Sequence, residues 1–259
     1  FVDKDGDMVA DTGETTPFAA TTSPSWPQVN DPDSFYAYIH PYTPYTPPIA
    51  ATDPDFQDLV TRQVTRTVNF IRGQDQPFEY IGATLLPASR NRRIDYDHDG
   101  VVETWRLGDI VYSTPTLVGT PAENFDLIYR DESYTEFYRQ YRKRRNVVYA
   151  GANDGMLHAF DAQNGWERFA YVPNLVMENL KDLKDVNYSH RFYVDLTPYV
   201  KEIEISPTER KKYLEGGLGK GGKGYYCLLL RHRTESSPYT WTDVMNVDNF
   251  SDSSSEDNL

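Results

Sequence analysis

The sequence contains few of the residues that cross-link a chain or anchor it in a membrane. Cys227 is the one cysteine among 259 residues, which excludes an internal disulfide framework and disfavours a structural zinc cluster. No apolar run approaches the roughly 18 residues of a transmembrane helix, so no membrane span is expected. The chain starts at Phe1 without a signal peptide, and we interpret it as a processed piece of a longer protein.

Basic residues are also in deficit. Lysine and arginine number 26 against 39 aspartates and glutamates, which gives a net charge of −13. A protein that binds a nucleic-acid backbone needs a basic face, so nucleic acid is not expected as a partner. An acidic surplus fits either a solvated surface or bound cations.

Motifs of catalysis are missing as well. The 5 histidines are scattered without the HExxH or HxxxH spacing of zinc enzymes, and His158 is interpreted as a packed or turn-bonding residue. Ser113 does not lie in a nucleophile elbow. In the glycine-rich run Gly216–Gly224, glycine follows both lysines where a phosphate-binding loop needs serine or threonine. We interpret this run as a flexible hairpin or blade corner, and we expect no enzyme.

What the sequence does contain is a stretch typical of a small antiparallel sheet. Apolar alternation predicts three short strands, at Asn146–Ala150, Met156–Phe160 and Trp166–Val172. The intervening residues, Gly151–Gly155 and Asp161–Gly165, tolerate the positive φ of tight turns. A β-propeller blade needs such a meander, and an ordinary β-sandwich contains it too, so the pattern leaves both folds open.

Two acidic loops give the sharpest local signal. Carboxylates stand at offsets 0, 2, 4 and 8 in each loop, from Asp3, Asp5, Asp7 and Asp11 in the first and from Asp95, Asp97, Asp99 and Glu103 in the second. Alternate carboxylates on a tight turn converge on a hard cation that takes about six to eight oxygens. The carbonyls of Val9 and Val101, at offset 6, would add a ligand to each loop. We predict Ca2+ at both loops; the alternative is a pair of acidic surface turns.

The order of these features predicts four segments. They are an acidic cation loop with a Tyr/Pro/Thr-rich extended segment at 1–51, a helix with the second cation loop at 52–104, a propeller-like β region at 105–230 and an acidic, serine-rich tail at 231–259. The helix is expected between Thr52 and Arg72, because Thr52 or Asp53 suits its start and Gly73 its end. Further elements are expected as a helix within Phe125–Arg145, a short helix at Leu175–Leu183, and strands at Arg191–Leu196 and Tyr225–Leu230.

Five stretches resemble one known family in the same chain order. They are VNFIRGQD (Val68–Asp75), RLGDIVYSTPTLVG (Arg106–Gly119), VVYAGANDGMLHAFDAQNGWERFAYVP (Val147–Pro173), HRFYVDLTP (His190–Pro198) and GGLGKGGKGYYCL (Gly216–Leu228). They are similar to the PilY family of type IV pilus biogenesis and tip-adhesion proteins. The resemblance implies a mainly β fold, a partial β-propeller of quinoprotein-type blades with a few helices and long loops. It fails from Leu229, which leaves open whether the residues beyond belong to a blade.

The resemblance also implies a function. The chain would be a non-catalytic, calcium-binding component of the type IV pilus, exported from a bacterium to the cell surface, with minor pilins and other pilus components as partners. A blade takes about 40 to 45 residues and a closed propeller at least about four blades, so a second polypeptide is expected to complete the ring. The alternatives are a propeller of the quinone-dependent dehydrogenase type, or a structural surface or filament subunit clipped by calcium.

Overall fold

The computed structural model describes residues 54–77, 79–81, 84–86, 88–206, 209–230 and 244–250. The first predicted cation loop, from Asp3 to Asp11, lies outside the described residues, as does the Tyr/Pro/Thr-rich segment that follows it. The chain forms two compact units. The helical unit comprises the described residues up to Gly108 together with Asn174–Arg191, and the sheet unit comprises Asp109–Pro173 and the described residues from Phe192 onward. The predicted division into four segments stays a prediction.

The helical unit is built on one long helix, α1, at Pro54–Ile71. This confirms the helix predicted between Thr52 and Arg72. Val64 and Val68 are almost fully buried, as the apolar stripe at helical spacing requires. Gly73 follows the helix with a φ of +94°, a left-handed conformation that suits a glycine just past a helix end.

Two short hairpins and a second helix complete the helical unit. Strand β1 (Glu79–Ile81) pairs with β2 (Thr84–Leu86), and β3 (Arg93–Ile94) pairs with β4 (Glu103–Thr104), both antiparallel. A 3-10 helix at Asn174–Lys184 packs against α1 and confirms the short helix predicted there. The β3–β4 hairpin carries the second predicted cation loop.

The sheet unit opens with a four-stranded antiparallel meander. In space as in sequence, its strands follow the order β5 (Thr116–Val118), β6 (Val147–Gly151), β7 (Leu157–Asp161) and β8 (Glu167–Tyr171). The last three are the strands that apolar alternation predicts. Leu157 and Ala159 on the central strand β7 are completely buried and form the middle of this sheet.

A two-helix insertion separates β5 from β6. Helix α2 spans Phe125–Tyr129 and helix α3 spans Glu132–Tyr141, which confirms a helix between Phe125 and Arg145 and divides the helical part of that range in two. The break arises because Arg130 takes a left-handed conformation, with φ of 58°, which ends α2. Asp131 then caps α3 by accepting a hydrogen bond from the Tyr134 amide at 3.1 Å.

A second antiparallel sheet follows in the same unit. Its strands are β9 (Tyr199–Ser206), β10 (Glu209–Gly217), β11 (Tyr225–Leu230) and β12 (Val244–Phe250), again in chain order. Strand β12 pairs with β11, so residues beyond the point where the family resemblance fails supply a fourth strand. The ring centroids of Tyr171 on β8 and Tyr226 on β11 are 5.4 Å apart, so the two sheets are in contact at these side chains.

The strand predicted at Arg191–Leu196 is wrong, because the backbone there bonds to loops instead of a neighbouring strand. The Tyr193 amide donates to the side chain of Asn153 at 3.0 Å, and the Asp195 amide donates to the Leu218 carbonyl at 3.3 Å. The apolar residues of this segment are typical of a strand. Its amides, however, donate their hydrogen bonds to Asn153 in a turn and to Leu218 in the glycine-rich run.

Candidate calcium loop and adjacent cleft

The second acidic loop is closed at its base by the β3–β4 ladder. Ile94 pairs with Glu103 and Arg93 pairs with Thr104. The Trp105 amide extends the ladder by donating to the Arg92 carbonyl at 2.9 Å. Because both ends of the loop are fixed in this way, its aspartates are confined to a small volume.

Three of the predicted ligands come together on this loop. Asp95, Asp97 and Asp99 each offer a carboxylate oxygen, and these oxygens all lie within 4.8 Å of one another. Within the described part of the chain, this is the one group of three or more acidic, histidine or cysteine side chains with such spacing. Backbone amides orient all three carboxylates: Gly100 donates to Asp95 Oδ2 at 3.1 Å, Val101 donates to Asp99 Oδ1 at 2.7 Å, and Asp99 donates to Asp97 Oδ1 at 3.4 Å.

The backbone of the loop is bent as a cation loop requires. Gly100, at offset 5, has a φ of +90°, and His98 also has a positive φ of 63°. Only glycine adopts the first conformation without strain, so this position of the loop requires a glycine. The other oxygen of Asp95, Oδ1, is buried and has no hydrogen-bond partner among the described residues. An unpaired buried carboxylate oxygen is costly unless a cation or water satisfies it.

Two predicted ligands are not gathered into this group. The carboxylate of Glu103 lies beside the phenol of Tyr96. The negative charge of Glu103, and to a smaller extent that of Asp97, raises the pKa of this phenol. Glu103 is exposed and stands outside the group of three carboxylates. Val101 is exposed as well, and its contact with the loop is the amide hydrogen bond to Asp99.

The donor set fits a hard cation. All the gathered donors are carboxylate oxygens, which suit Ca2+ or Mg2+, whereas zinc favours nitrogen and sulfur ligands. Three carboxylates fall short of the about six to eight oxygens that Ca2+ takes, so Glu103, the Val101 carbonyl or waters would supply the rest. Glu103 is the residue that would have to move, because it now contacts Tyr96.

An open cleft of about 410 Å³ adjoins the loop. It is lined by Tyr96, Glu103, Thr104, Trp105 and Arg106. The rings of Tyr96 and Trp105 meet edge to face, with centroids 5.6 Å apart and planes at 67°. Both side chains are about half exposed, at 53% and 52%. Sequence reasoning missed this cleft, because it depends on the pairing of β3 with β4 and on no motif.

The residues after α1 hold the floor of the cleft. Thr104 donates its hydroxyl to Asp75 Oδ2 at 3.0 Å, and Arg106 donates Nε to the Gly73 carbonyl at 3.0 Å. Arg92 Nη2 lies 3.6 Å from Asp75 Oδ1. The guanidinium carbon of Arg92 lies 3.7 Å from the centroid of the Phe70 ring. The residues that support the acidic loop therefore include two positively charged side chains, Arg92 and Arg106.

In the sheet unit, several of the motifs that resemble the PilY family meet around Asn153. The Asn153 side chain donates to Asp109 at 2.9 Å and accepts from the Tyr193 amide at 3.0 Å. Gly221 packs so closely on this segment that an added Cβ would lie 1.9 Å from the Tyr193 carbonyl oxygen. The glycine-rich run is therefore a packed corner, and these residues stabilise the fold.

His158 is confirmed as a packed, turn-bonding residue. Its Nε2 lies 3.0 Å from the carboxylate of Asp154 in the preceding turn, and its Nδ1 lies 2.5 Å from Glu167 on β8. Burial opposes the charge, but the hydrogen bonds to both carboxylates outweigh it and raise the pKa of His158 to about 9. A protonated imidazole bonded on both sides is poorly suited to act as a base.

Helices long and apolar enough to cross a membrane are not found in the part of the chain that the structure describes. Comparison with known proteins gives a family match: the model of the PilY1 beta-propeller domain matches residues 107–258. This confirms the mainly β, partial-propeller fold, observed here as two blade-like sheets that do not close into a barrel. No solved structure matches the chain.

Curated relatives point to the same family. A type IV pilus biogenesis factor PilY1 homolog from Xylella fastidiosa is 36% identical over 184 residues, which are 64% of this chain and 15% of the relative. The type IV pilus biogenesis factor PilY1 of Pseudomonas aeruginosa is 32% identical over 183 residues, covering 68% of this chain and 14% of the relative. The chain thus spans about a seventh of these proteins, which are named as biogenesis factors and not as enzymes. By the match over residues 107–258, it belongs to the PilY1 beta-propeller family.

Proposed function

We propose that this chain is a non-catalytic, calcium-binding segment of a protein that acts in type IV pilus biogenesis and surface adhesion. The family match and the names of its relatives support the pilus role. The observation that carries the calcium proposal is the convergence of Asp95, Asp97 and Asp99 within 4.8 Å, with one buried carboxylate oxygen left unpaired.

The chemistry of the loop supports a role for the cation in ordering it. Three carboxylates at this spacing repel one another, and a divalent cation replaces that repulsion with attraction. Extracellular calcium modules bind with dissociation constants of about 10⁻⁴ to 10⁻³ M. At about 1 mM calcium, such a site would stabilise the folded chain by about 1 kcal/mol.

The location and partners follow from the same proposal. Minor pilins and other pilus components are the proposed partners, and the outer surface of a bacterium is the proposed location. The described residues hold two four-stranded sheets, fewer than the about four to eight blades of a closed ring. Further polypeptide would therefore complete the propeller. Weak calcium sites are suited to such a location, where the cation reaches millimolar concentration.

A calcium titration by calorimetry tests the metal proposal. Asp97→Asn keeps the shape of the side chain and removes one charge from the loop, so it is expected to abolish binding there. Glu178→Gln is the matched control, since Glu178 is exposed in the same unit and stands outside the carboxylate group. Asp5→Asn reports on the first predicted loop. Two binding events, each lost with its own variant, would support both loops.

Terbium gives an independent readout of the same site. Tyr96 lies between two of the proposed ligands, and Trp105 packs on it, so terbium bound in the loop is expected to luminesce on aromatic excitation. Calcium should displace it, and Asp97→Asn should remove the signal. If neither calcium heat nor terbium luminescence appears at millimolar concentration, the metal proposal is wrong.

Complementation tests the pilus role separately. A bacterium that lacks its own copy of the protein would receive the full-length gene with either the natural residue or Asp97→Asn, and surface pili and attachment would be counted. Restored pili with the natural residue support the pilus role. Normal piliation by a variant that no longer binds calcium would separate the two proposals and limit calcium to stability.

A further inference from the structure

The second sheet, β9–β12, has one buried face and one face with exposed apolar side chains. Successive residues of a strand point to opposite faces, and residues paired across a ladder share a face. On the buried face, Leu214 and Leu228 are 0% exposed and Tyr226 is 1% exposed. We call the opposite face the far face, and its side chains on β9, β10 and β11 include Tyr199, Lys201, Ile203, Tyr213 and Tyr225.

The far face exposes large apolar side chains. Tyr199 is 58% exposed, Ile203 is 40% exposed and Tyr225 is 64% exposed. Single apolar residues at a surface are ordinary, but several on one face of one sheet are typical of an interaction surface. The far face therefore has the character of a surface that a partner covers.

The first sheet, β5–β8, provides a direct comparison, because the two sheets are built to the same pattern. Gly151 at the end of β6 pairs with Leu157 on β7, and Gly217 at the end of β10 pairs with Tyr225 on β11. Leu157 and Tyr225 therefore occupy the same place in their sheets. Leu157 is completely buried, whereas Tyr225 is mostly exposed.

A second pair of positions repeats this difference. Val118 on β5 pairs with Val147, and Lys201 on β9 pairs with Tyr213. In each sheet this pair lies four residues before the glycine that ends the second strand. Val118 is buried and Lys201 is exposed. The two sheets thus share a pattern and differ in what covers this face.

In the first sheet, the cover is the sheet that follows it in the chain. Tyr171 pairs with Leu157 and so lies on the same face, and its ring contacts that of Tyr226 on the buried face of the second sheet. Lys212, also on that buried face, donates Nζ to the Gly119 carbonyl just past β5 at 3.4 Å. Each sheet of this pattern therefore has a face suited to receive the next one.

We propose that a third sheet of the same pattern, supplied by the longer protein, docks on the far face of the second sheet. The first sheet already lies on the buried face, so the same step in chain order places a third sheet on the opposite side. The two PilY1 relatives have enough polypeptide for such a sheet, since this chain covers 15% and 14% of them. This docking rests on the proposal above that further polypeptide completes the propeller, and it adds which face receives that polypeptide.

The far face also sets the chemistry of its partner. Tyr199, Ile203 and Tyr225 require apolar side chains opposite them, because docking removes their exposed area from water. Lys201 lies among them on the same face. A lysine buried without a partner is costly, so the incoming sheet should place a carboxylate within reach of Lys201.

Thiol accessibility tests the docking. Lys201→Cys reports on the far face, and Leu127→Cys, at a position that is 78% exposed on α2, is the control. Both are made with Cys227→Ala, in the 259-residue chain and in the full-length protein. Iodoacetamide labelling is quantified by mass spectrometry of the peptide that contains the chosen site. Lys201→Cys is expected to react about tenfold or more slowly in the full-length protein than in the 259-residue chain, while Leu127→Cys reacts equally in both.

A charge on the far face tests the same contact by disrupting it. Ile203→Asp changes an exposed position, so the urea midpoint of the 259-residue chain should not move. In the full-length protein it should restore fast labelling of Lys201→Cys, because docking would bury the new carboxylate. Ile128→Asp, at a position that is 62% exposed on α2, is the matched control and should leave the labelling slow.

Four results would overturn the proposal. Fast labelling of Lys201→Cys in the full-length protein would mean that nothing docks on the far face. Equal slowing of Lys201→Cys and Leu127→Cys would mean that the protection is not specific to this face. Slow labelling already in the 259-residue chain at every concentration would mean that the chain covers its own far face. Slow labelling that depends on the concentration of the chain would make a second copy the occupant.

The complementation experiment keeps this test separate from the pilus role. A full-length protein that restores pili while Lys201→Cys stays open would refute the docking and leave the pilus role intact. Protection of Lys201→Cys in a protein that does not restore pili would support the docking and refute the pilus role.

Discussion

Protonation of His158 should make the stability of the sheet unit depend on pH. The imidazole is 3% exposed and lies between Asp154 in the turn after β6 and Glu167 on β8. His158, on β7, therefore links the β6–β7 turn to strand β8 through its two ring nitrogens. Burial by itself would keep it neutral, but hydrogen bonds to both carboxylates raise its pKa from 6.5 to about 9.

The sign and size of the effect follow from this shift. A group whose pKa is higher in the folded chain than in the unfolded chain binds its proton more tightly when folded. The stabilisation is fully present below pH 6.5 and is lost as the pH rises toward 9. A difference of about 2.5 pKa units corresponds to about 3 kcal/mol, nearly all of which should disappear between pH 6 and pH 9.

The assay is urea unfolding of the chain labelled with 5-fluorotryptophan, followed by the fluorine signal of Trp166, which precedes Glu167 in sequence. The free energy of unfolding of the natural chain is compared with that of His158→Gln at each pH, so that groups common to both cancel. Among these is Lys184, whose pKa burial lowers to about 8 and which acts in the opposite direction at higher pH. His190→Gln, at an exposed histidine, controls for removal of an imidazole. If the difference between natural chain and His158→Gln stays constant from pH 6 to pH 9, the reasoning is refuted.

Two further predictions concern a buried ion pair and the cation loop. Lys212 and Glu202 are 7% and 4% exposed with Nζ and Oε1 2.6 Å apart, so Lys212→Met alone should cost about 3 to 5 kcal/mol in urea unfolding. Replacing both residues by methionine should be nearly neutral, and an equal loss in single and double variants would contradict this. Glu103 and then Asp97 raise the pKa of Tyr96. Bound calcium should lower it by neutralising these carboxylates, as a phenolate absorbance titration with and without calcium can show; an unchanged titration would place the cation elsewhere.

The parts of the fold that could be predicted from the sequence are those set by local signals. Helix α1 has residues suited to a helix start, an apolar stripe and a glycine just past its end. The β6–β8 meander has glycines with positive φ in its turns. The departures arose where no local signal marks the conformation. Arg130 ends α2 without any glycine or proline. The strand predicted at Arg191–Leu196 is absent because the backbone there bonds to Asn153 and to the glycine-rich run.

The candidate site likewise has one part that could be predicted from the sequence and one part that could not. Asp95, Asp97 and Asp99 are close in sequence on a bent loop, so their alternation suffices to predict that they converge. Glu103 lies across the β3–β4 ladder, and its contact with Tyr96 depends on side-chain packing that no spacing rule describes. The aromatic cleft is a product of the same ladder and was not predictable for the same reason.

A repeated dipeptide marks the start of both sheets. Thr114–Pro115 precedes β5 and Thr197–Pro198 precedes β9. The Thr114 amide donates to Thr197 Oγ1 at 2.9 Å, and the Thr116 hydroxyl donates to the Pro198 carbonyl at 2.7 Å. The two sheets therefore begin side by side, as neighbouring units of one repeat would.

This repeat is longer than one ordinary blade. The two threonines are 83 residues apart, about twice the 40 to 45 residues of an ordinary blade. The excess lies in residues 119–146, which carry α2 and α3, and in Asn174–Arg191, which belongs to the helical unit. Such insertions lengthen a repeat without adding a strand. In the described residues, each of the two sheets therefore begins after one of these two hydrogen-bonded Thr-Pro dipeptides, and the helical insertions account for the extra length.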